Sequence, residues 1–340
     1  MTTITPTDSK PKVLGYSHTI GLCVMQGRGF MFPVDTLIGP DARIHTISRG
    51  SNYPELQIRV TVYDINSEYS GVYGGYDDGL RWPSAIASDR DGNVFISDEL
   101  TDRINVYSPD GSTAGYWGTR GGKDGEFRRP SGIAFDSEDN MFISDQLNNR
   151  IQKFTKDGNS LMHFGNDPIG NDSLNLPWGL TVAPDNCVYV ADWGNHRIAK
   201  YSEEGTLIQT FGRQGSDDGE FNNPSSVAVD DGGYIYVADW GNERVQVIDS
   251  NGAFVTKLRG TATISKWGQD FLDANHEEAE PRSRSDLEPD ISLFGGDPHE
   301  ESSHIEKFFW GPTSVKLDVS GNLYVTESNR HRVQIYTKLT

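Results

Sequence analysis

Apolar positions along this chain come in runs of four to six residues, separated by polar turns, and none is long enough for a helix of ordinary length. The stretch near residue 190 shows the pattern. Val188-Tyr189-Val190-Ala191 reads as one strand, and a polar hairpin, Asp192-Trp193-Gly194-Asn195-His196-Arg197, turns the chain into a second strand from Ile198 to Tyr201. A further apolar run, Leu207 to Phe211, leads into a Gly-rich loop from Gly212 to Phe221. An earlier copy supplies the missing member, Gly132-Ile133-Ala134-Phe135, placed after a proline and before a turn rich in Asp and Asn. Short runs of this kind with tight turns predict four antiparallel strands per unit.

The unit recurs. WPSAIASDRDGNVFISDELTDRINVY, RPSGIAFDSEDNMFISDQLNNRIQKF, LPWGLTVAPDNCVYVADWGNHRIAKY and NPSSVAVDDGGYIYVADWGNERVQVI align without gaps. Their prolines, Pro83, Pro130, Pro177 and Pro224, follow one another at 47 residues. A fifth copy, GPTSVKLDVSGNLYVTESNRHRVQIY, begins at Pro312, and a degraded one begins at Pro33. A period near 47 matches one four-stranded propeller blade, and six such sheets packed radially bury faces that none buries alone. The expected fold is therefore all-β, a six-bladed β-propeller forming a single domain over residues 1–340. The last copy ends after its third strand, so the stretch from Val13 to Ile20 is expected to supply the fourth and close the ring, which removes an unpaired sheet edge.

The motifs F-x-x-P-x-G-[VI]-A-V-D and [VY]-V-A-D-x-x-N-x-R-[VI]-Q resemble the NHL repeat of six-bladed β-propellers, over nearly the whole chain outside one insertion. That resemblance implies a recognition module, or a lyase of the kind that cleaves peptidyl-hydroxyglycine. The lyase carries zinc-binding histidines directly after such prolines. Here those positions hold Val34, Ser84, Ser131, Trp178, Ser225 and Thr313. With no histidine ring, no cofactor is expected and a divalent metal lacks its usual ligands. The likeness to gluconolactonase-like hydrolases is architectural, and Asp35 is the only acidic residue near the ring.

Charge narrows the partners. Lys and Arg number 30 and Asp and Glu 49, a net charge of −19. Such a field repels nucleic acid and favours a basic or cationic partner. No apolar run approaches the ~20 residues of a membrane span. No basic start with an apolar run behind it is present, which points to the cytoplasm. Cys23 and Cys187 are expected on opposite faces as free thiols.

In a four-stranded blade, the loops joining strands two and three share a face with the loops between blades. This top face carries the repeat hairpins Asp98–Arg103, Asp145–Arg150, Asp192–Arg197, Asp239–Arg244 and Glu327–Arg332. The recurring Asp with Arg five residues later reads as an ion pair fixing each turn. The first blade breaks the rule, with Ser48 where Asp is expected, and this makes Arg49 and Asn52 candidates. His196 and His331 share one hairpin slot that holds Asp102, Asn149 and Glu243 in other copies, so they do not read as metal ligands.

From Pro224 to Pro312 the interval is 88 residues, 41 more than the period. The insertion, residues 259–308, is expected to emerge on top between blades 5 and 6 as an acidic and aromatic cap. Residues 270–306 hold twelve acidic side chains and two arginines. Trp267, Phe271, Leu272, Phe294, Phe308, Phe309 and Trp310 are too apolar to leave in water. Ser265 is placed to cap a helix with Trp267 and Phe271 on one face.

The candidate binding residues are a hydroxyl ring, Ser84, Ser131, Ser225 and Thr313, with Trp178, Trp193, Trp240, Trp310, Arg49 and Asn52. They suit a protein or polar small-molecule ligand on the top face under the inserted lid. Lyase or hydrolase chemistry in the central channel is the alternative.

Overall fold

A computed structural model describes residues 14–166, 173–292 and 295–338 of the protein. Val13 and Phe294 lie outside the described residues. Six four-stranded antiparallel sheets form the blades of a β-propeller. The innermost strands are Pro33–Ile38, Pro83–Ser88, Pro130–Phe135, Pro177–Val182, Ser226–Val229 and Pro312–Leu317. Each repeat forms a blade because only the first three strands carry apolar residues on both faces. The fourth strand is the exposed outer edge, as in Thr113–Trp117 and Leu207–Phe211.

Packing between blades makes the core. Between blades 2 and 3, Phe95, Ile104, Phe127, Ile133, Ile143 and Phe154 form one buried cluster, and each neighbouring pair of blades has its equivalent. Closure follows the expected route. Leu14–Ile20 pairs antiparallel with Arg332–Lys338, matching Ile20 to Val333 and Leu14 to Lys338, and so becomes the outer strand of blade 6.

Among the described residues α-helices occur only at departures from the repeat, while the regular hairpins of blades 3, 4 and 5 each carry one 3-10 turn. Helix α1, Pro54–Gln57, sits in the hairpin of blade 1. The insertion forms α2, Lys266–Ala274, α3, His276–Arg284, and α4, Pro298–His304. Ser265 caps α2 as its sequence position implies, accepting a hydrogen bond from Gly268 N. The two aromatics of α2 part company, however. Trp267 is fully buried and Phe271 is exposed. Trp267 meets Phe30, Tyr63 and Tyr69 at the seam between blades 6 and 1, and its Nε1 donates to Ser67 O at 2.7 Å. Helix α4 docks over the hairpins of blades 5 and 6. Arg330 donates to Ser302 O, Ser303 O and Ile305 O at its C-terminal end, where a positive charge opposes the exposed carbonyls.

Both cysteines are free. Among the described residues no helix is long and apolar enough to cross a membrane.

Candidate functional site

The hairpin ion pair is built as its spacing implies in blades 3 to 6. In blade 3, Asp145 Oδ2 accepts from Arg150 Nε at 2.8 Å, Asn148 Nδ2 at 2.8 Å and Gln152 Nε2 at 3.0 Å, while Oδ1 accepts from Arg128 N at 2.7 Å. Blades 4 and 5 repeat the Asp–Arg pair at 2.7 Å, and blade 6 uses Glu327 and Arg332 at 2.8 Å. Burial lifts Asp145, Asp192 and Asp239 above the ordinary carboxylate range, and these donors pull the other way.

The slot shared by His196 and His331 is a stitch between blades. Asp102, Asn149, His196, Glu243 and His331 all take left-handed backbone, with φ of 52 to 54°. That turn aims each side chain at the next blade. There it accepts the N–H of the residue before the anchor proline: Arg129 at 2.7 Å, Leu176 at 2.9 Å, Asn223 at 3.0 Å, Gly311 at 2.6 Å and Phe32 at 2.9 Å.

Blade 1 is where the gapless alignment misleads. Its hairpin does not close at Tyr53. Ser48 pairs with Arg59, so ten residues including α1 replace the usual four. Arg59 therefore takes the place of the repeat arginine, and its guanidinium donates to Met25 O, Val24 O and Gly29 O at 2.7 to 3.1 Å. Asn52 is exposed in the enlarged loop. The signal for Arg59 was its buried strand neighbours, Val60 and Val62, rather than its distance from Ser48.

The same departure reshapes the junction of blades 1 and 2, where no left-handed acceptor is available. Arg49 reaches across instead. It donates from Nε to Pro83 O at 3.0 Å and from its terminal nitrogen to Glu99 Oε1 at 3.1 Å, and it lies over the Trp82 ring at 4.9 Å. Ser84 Oγ donates to the same Oε1 at 2.8 Å, and Arg129 donates to Glu99 Oε2 at 2.6 Å.

The rest of the hydroxyl ring also faces neighbouring backbone. Ser131 Oγ donates to Pro177 O at 3.0 Å, and Ser225 Oγ donates to Pro312 O at 3.1 Å, so each ties its blade to another. Thr313 donates within its own blade, to Thr326 O. Asp35 joins three blades, accepting from Ile86 N and Ser314 Oγ and lying 3.3 Å from Lys316 Nζ. Trp178 and the residues around it leave a channel of about 20 Å³, about the room one water molecule needs.

The tryptophans do not converge. Trp178 packs near Trp193, with ring centres 6.4 Å apart, and Trp310 lies against His299 of α4 at 6.0 Å. Trp240 stands in the blade 5 hairpin.

Larger openings lie elsewhere, and two of them bear on the site. One, of about 810 Å³, is lined by α2, α3 and the segment 261–264, where Arg282 is already held by Glu306 and Lys307 by Glu288. The other, about 400 Å³, lies on the top face between blades 2 and 3. Trp82, Leu100 and Leu147 form apolar walls, with Arg120, Arg128, Arg129, Glu99 and Asp102 around them. The three apolar side chains are 38%, 67% and 38% exposed. Among the described residues no three His, Cys, Asp or Glu side chains gather closely enough to hold a metal ion.

This geometry defines a six-bladed β-propeller held by a repeated hairpin carboxylate and an inter-blade acceptor. The NHL repeat model matches residues 174–201, 221–248 and 309–336, so blades 4, 5 and 6 of this propeller are NHL repeats. Its fold is similar to a streptogramin B lyase structure, at 11% identity and TM-score 0.57 over 97% of this chain and 99% of that one. It is also similar to a structural genomics protein of unknown function from Bacteroides thetaiotaomicron, at 16% identity and TM-score 0.62 over 96% and 72% of the two chains. A nidogen/laminin complex contains a third similar chain, at 19% identity and TM-score 0.52 over 69% and 82%. Identities this low speak to fold alone. Comparison with curated proteins returns no match.

Proposed function

We propose that the protein is a recognition module that binds a protein partner on its top face, at the junction of blades 2 and 3. One observation carries this reading. The central channel offers about 20 Å³, whereas the top-face opening offers about 400 Å³ with apolar walls left in water. Exposed apolar side chains gathered around a concavity of this size mark binding surfaces. The nidogen/laminin neighbour agrees with protein recognition on such a scaffold. A polar small molecule at the same place is the narrower version of the same idea.

The insertion has a different part in this reading. None of its described residues lines the top-face opening or the channel. We assign it to fastening the closed side of the ring, through Trp267 at one seam and α4 at the next. Lyase or hydrolase chemistry in the channel has less support, because the serine hydroxyls there are spent on backbone carbonyls.

The test is a capture experiment with immobilised protein. Leu100→Asp places a charge in the apolar wall, and Val319→Asp places one on the bottom face, at a fully exposed side chain. Partner proteins are expected to be retained by the parent protein and by Val319→Asp and lost from Leu100→Asp. Equal retention by all three would count against a top-face site between blades 2 and 3.

A further inference from the structure

We infer that the opening between blades 2 and 3 receives a carboxylate side chain of an acidic peptide segment, with an apolar neighbour of that carboxylate seated on Trp82 and Leu100. This deepens the recognition reading above and rests on it.

The argument is one of spent and unspent charge. The two carboxylates at the opening are engaged. Glu99 Oε1 accepts from Arg49 and Ser84 and Oε2 from Arg129, and Asp102 Oδ1 accepts from Arg129 N. Beyond Arg129, which Glu99 holds, the arginines are not matched in return. The Arg128 side chain is exposed and, among the described residues, has no hydrogen bond or ion pair. Arg120 is 78% exposed and touches a carboxylate only at 3.9 Å, through Asp102. Three guanidinium groups thus face two occupied carboxylates, in a chain whose net charge is −19. The opening beneath α2 and α3 differs, since its cations already have acidic partners.

The backbone of the site is also pinned before anything binds. The Arg129 backbone is left-handed, with φ of 58°, and is pinned by Asp102. The Arg128 backbone is pinned by Asp145, 2.7 Å from its N–H. Arg49 lies over the indole of Trp82. With the backbone beneath them pinned, the guanidinium groups start from fixed positions along the rim, and the two parallel donors of each match the two oxygens of a carboxylate. At physiological salt the distant acidic surface is screened beyond about 8 Å, so the near arginines decide which charge enters.

The experiment is selection of a random heptapeptide display library on the intact protein, on the double variant Arg120→Glu/Arg128→Glu, and on Leu100→Asp. Peptides enriched on the parent protein are expected to carry Glu or Asp beside a large apolar residue, and both variants should fail to enrich them. One enriched peptide, made with a fluorescent label, should bind about tenfold or more weakly to the double variant, and its Glu→Gln analogue should lose as much on the parent protein. Arg213→Glu, on an exposed loop of another junction, should leave binding unchanged. Enrichment of basic or neutral peptides that still depend on Leu100 would overturn the carboxylate assignment and leave the recognition reading standing. Enrichment of nothing that depends on Leu100 would remove both. Acidic peptides enriched equally on the double variant would also defeat the assignment, and a melting curve for each variant confirms that it is folded.

Discussion

Five side chains of four chemical types do one job in this ring. Asp102, Asn149, His196, Glu243 and His331 share only an acceptor atom and a left-handed backbone, and each holds the loop entering the next blade. In sequence the slot looked unconstrained because its chemistry varies. Its partner lies in the next blade, 27 residues or more away in the chain, beyond any local pattern. The slot in blade 6 carries a pH dependence. Burial takes His331 from 6.5 down to about 4, so the folded ring stays neutral and accepts from Phe32 N. The unfolded histidine binds its proton near 6.5, so this stabilisation is full above that value and falls as pH drops towards 4. His331→Asn keeps an acceptor, as Asn149 does in blade 3. It should flatten the loss of melting temperature between pH 6.5 and pH 4 relative to the parent protein. A remaining slope is expected from His45, which burial also takes to about 4. An unaltered acid profile in His331→Asn would show that this bond is not what acid breaks.

At the scale of elements, regular repeats were legible and departures from them were not. The hairpins of blades 3 to 6 hold the ion pair their spacing assigns, whereas in blade 2 Asp98 accepts backbone N–H groups and Arg103 lies over the Tyr116 ring at 4.1 Å. Blade 1 stretches its hairpin, which moves the structural arginine from the neighbourhood of Tyr53 to Arg59. Counting residues fails there because a loop can lengthen without altering the strands it joins. The insertion shows the same limit. The cap at Ser265 and the helix after it were readable, yet the direction each aromatic faces depends on what packs beside the helix. Trp267 fills the seam of blades 6 and 1 while Phe271 stays in water. Trp267→Ala should cost about 3–5 kcal/mol by chemical denaturation, as the loss of a buried tryptophan does, whereas Phe271→Ala should stay within about 0.5 kcal/mol. Equal effects would mean that α2 does not clasp the ring.

Over the whole molecule, closure joins residues that are far apart in the chain. The outer strand of blade 6 comes from Leu14–Ile20, and His18 reaches on to Ile65 O of blade 1 at 2.8 Å. Removing residues 1–20 should expose the edge of Arg332–Lys338 and lower the melting temperature of the entire ring in one transition. A melting temperature equal to that of the full chain would refute closure by this strand. The period of the sequence, with its alternating apolar runs and hairpin signals, was enough to determine blade number, strand order and the need for a closing strand. These follow from local chemistry repeated six times. The tertiary structure alone decided which polar groups are free for a partner. Ser84, Ser131 and Ser225 looked available in the chain, but Ser84 is spent on Glu99 of its own blade and the other two between blades, whereas Arg120 and Arg128 looked ordinary but stand unmatched on the top face. The reason is physical. Whether a donor is satisfied depends on the backbone or carboxylate that the next blade brings to it, and that neighbour is set by how the blades pack.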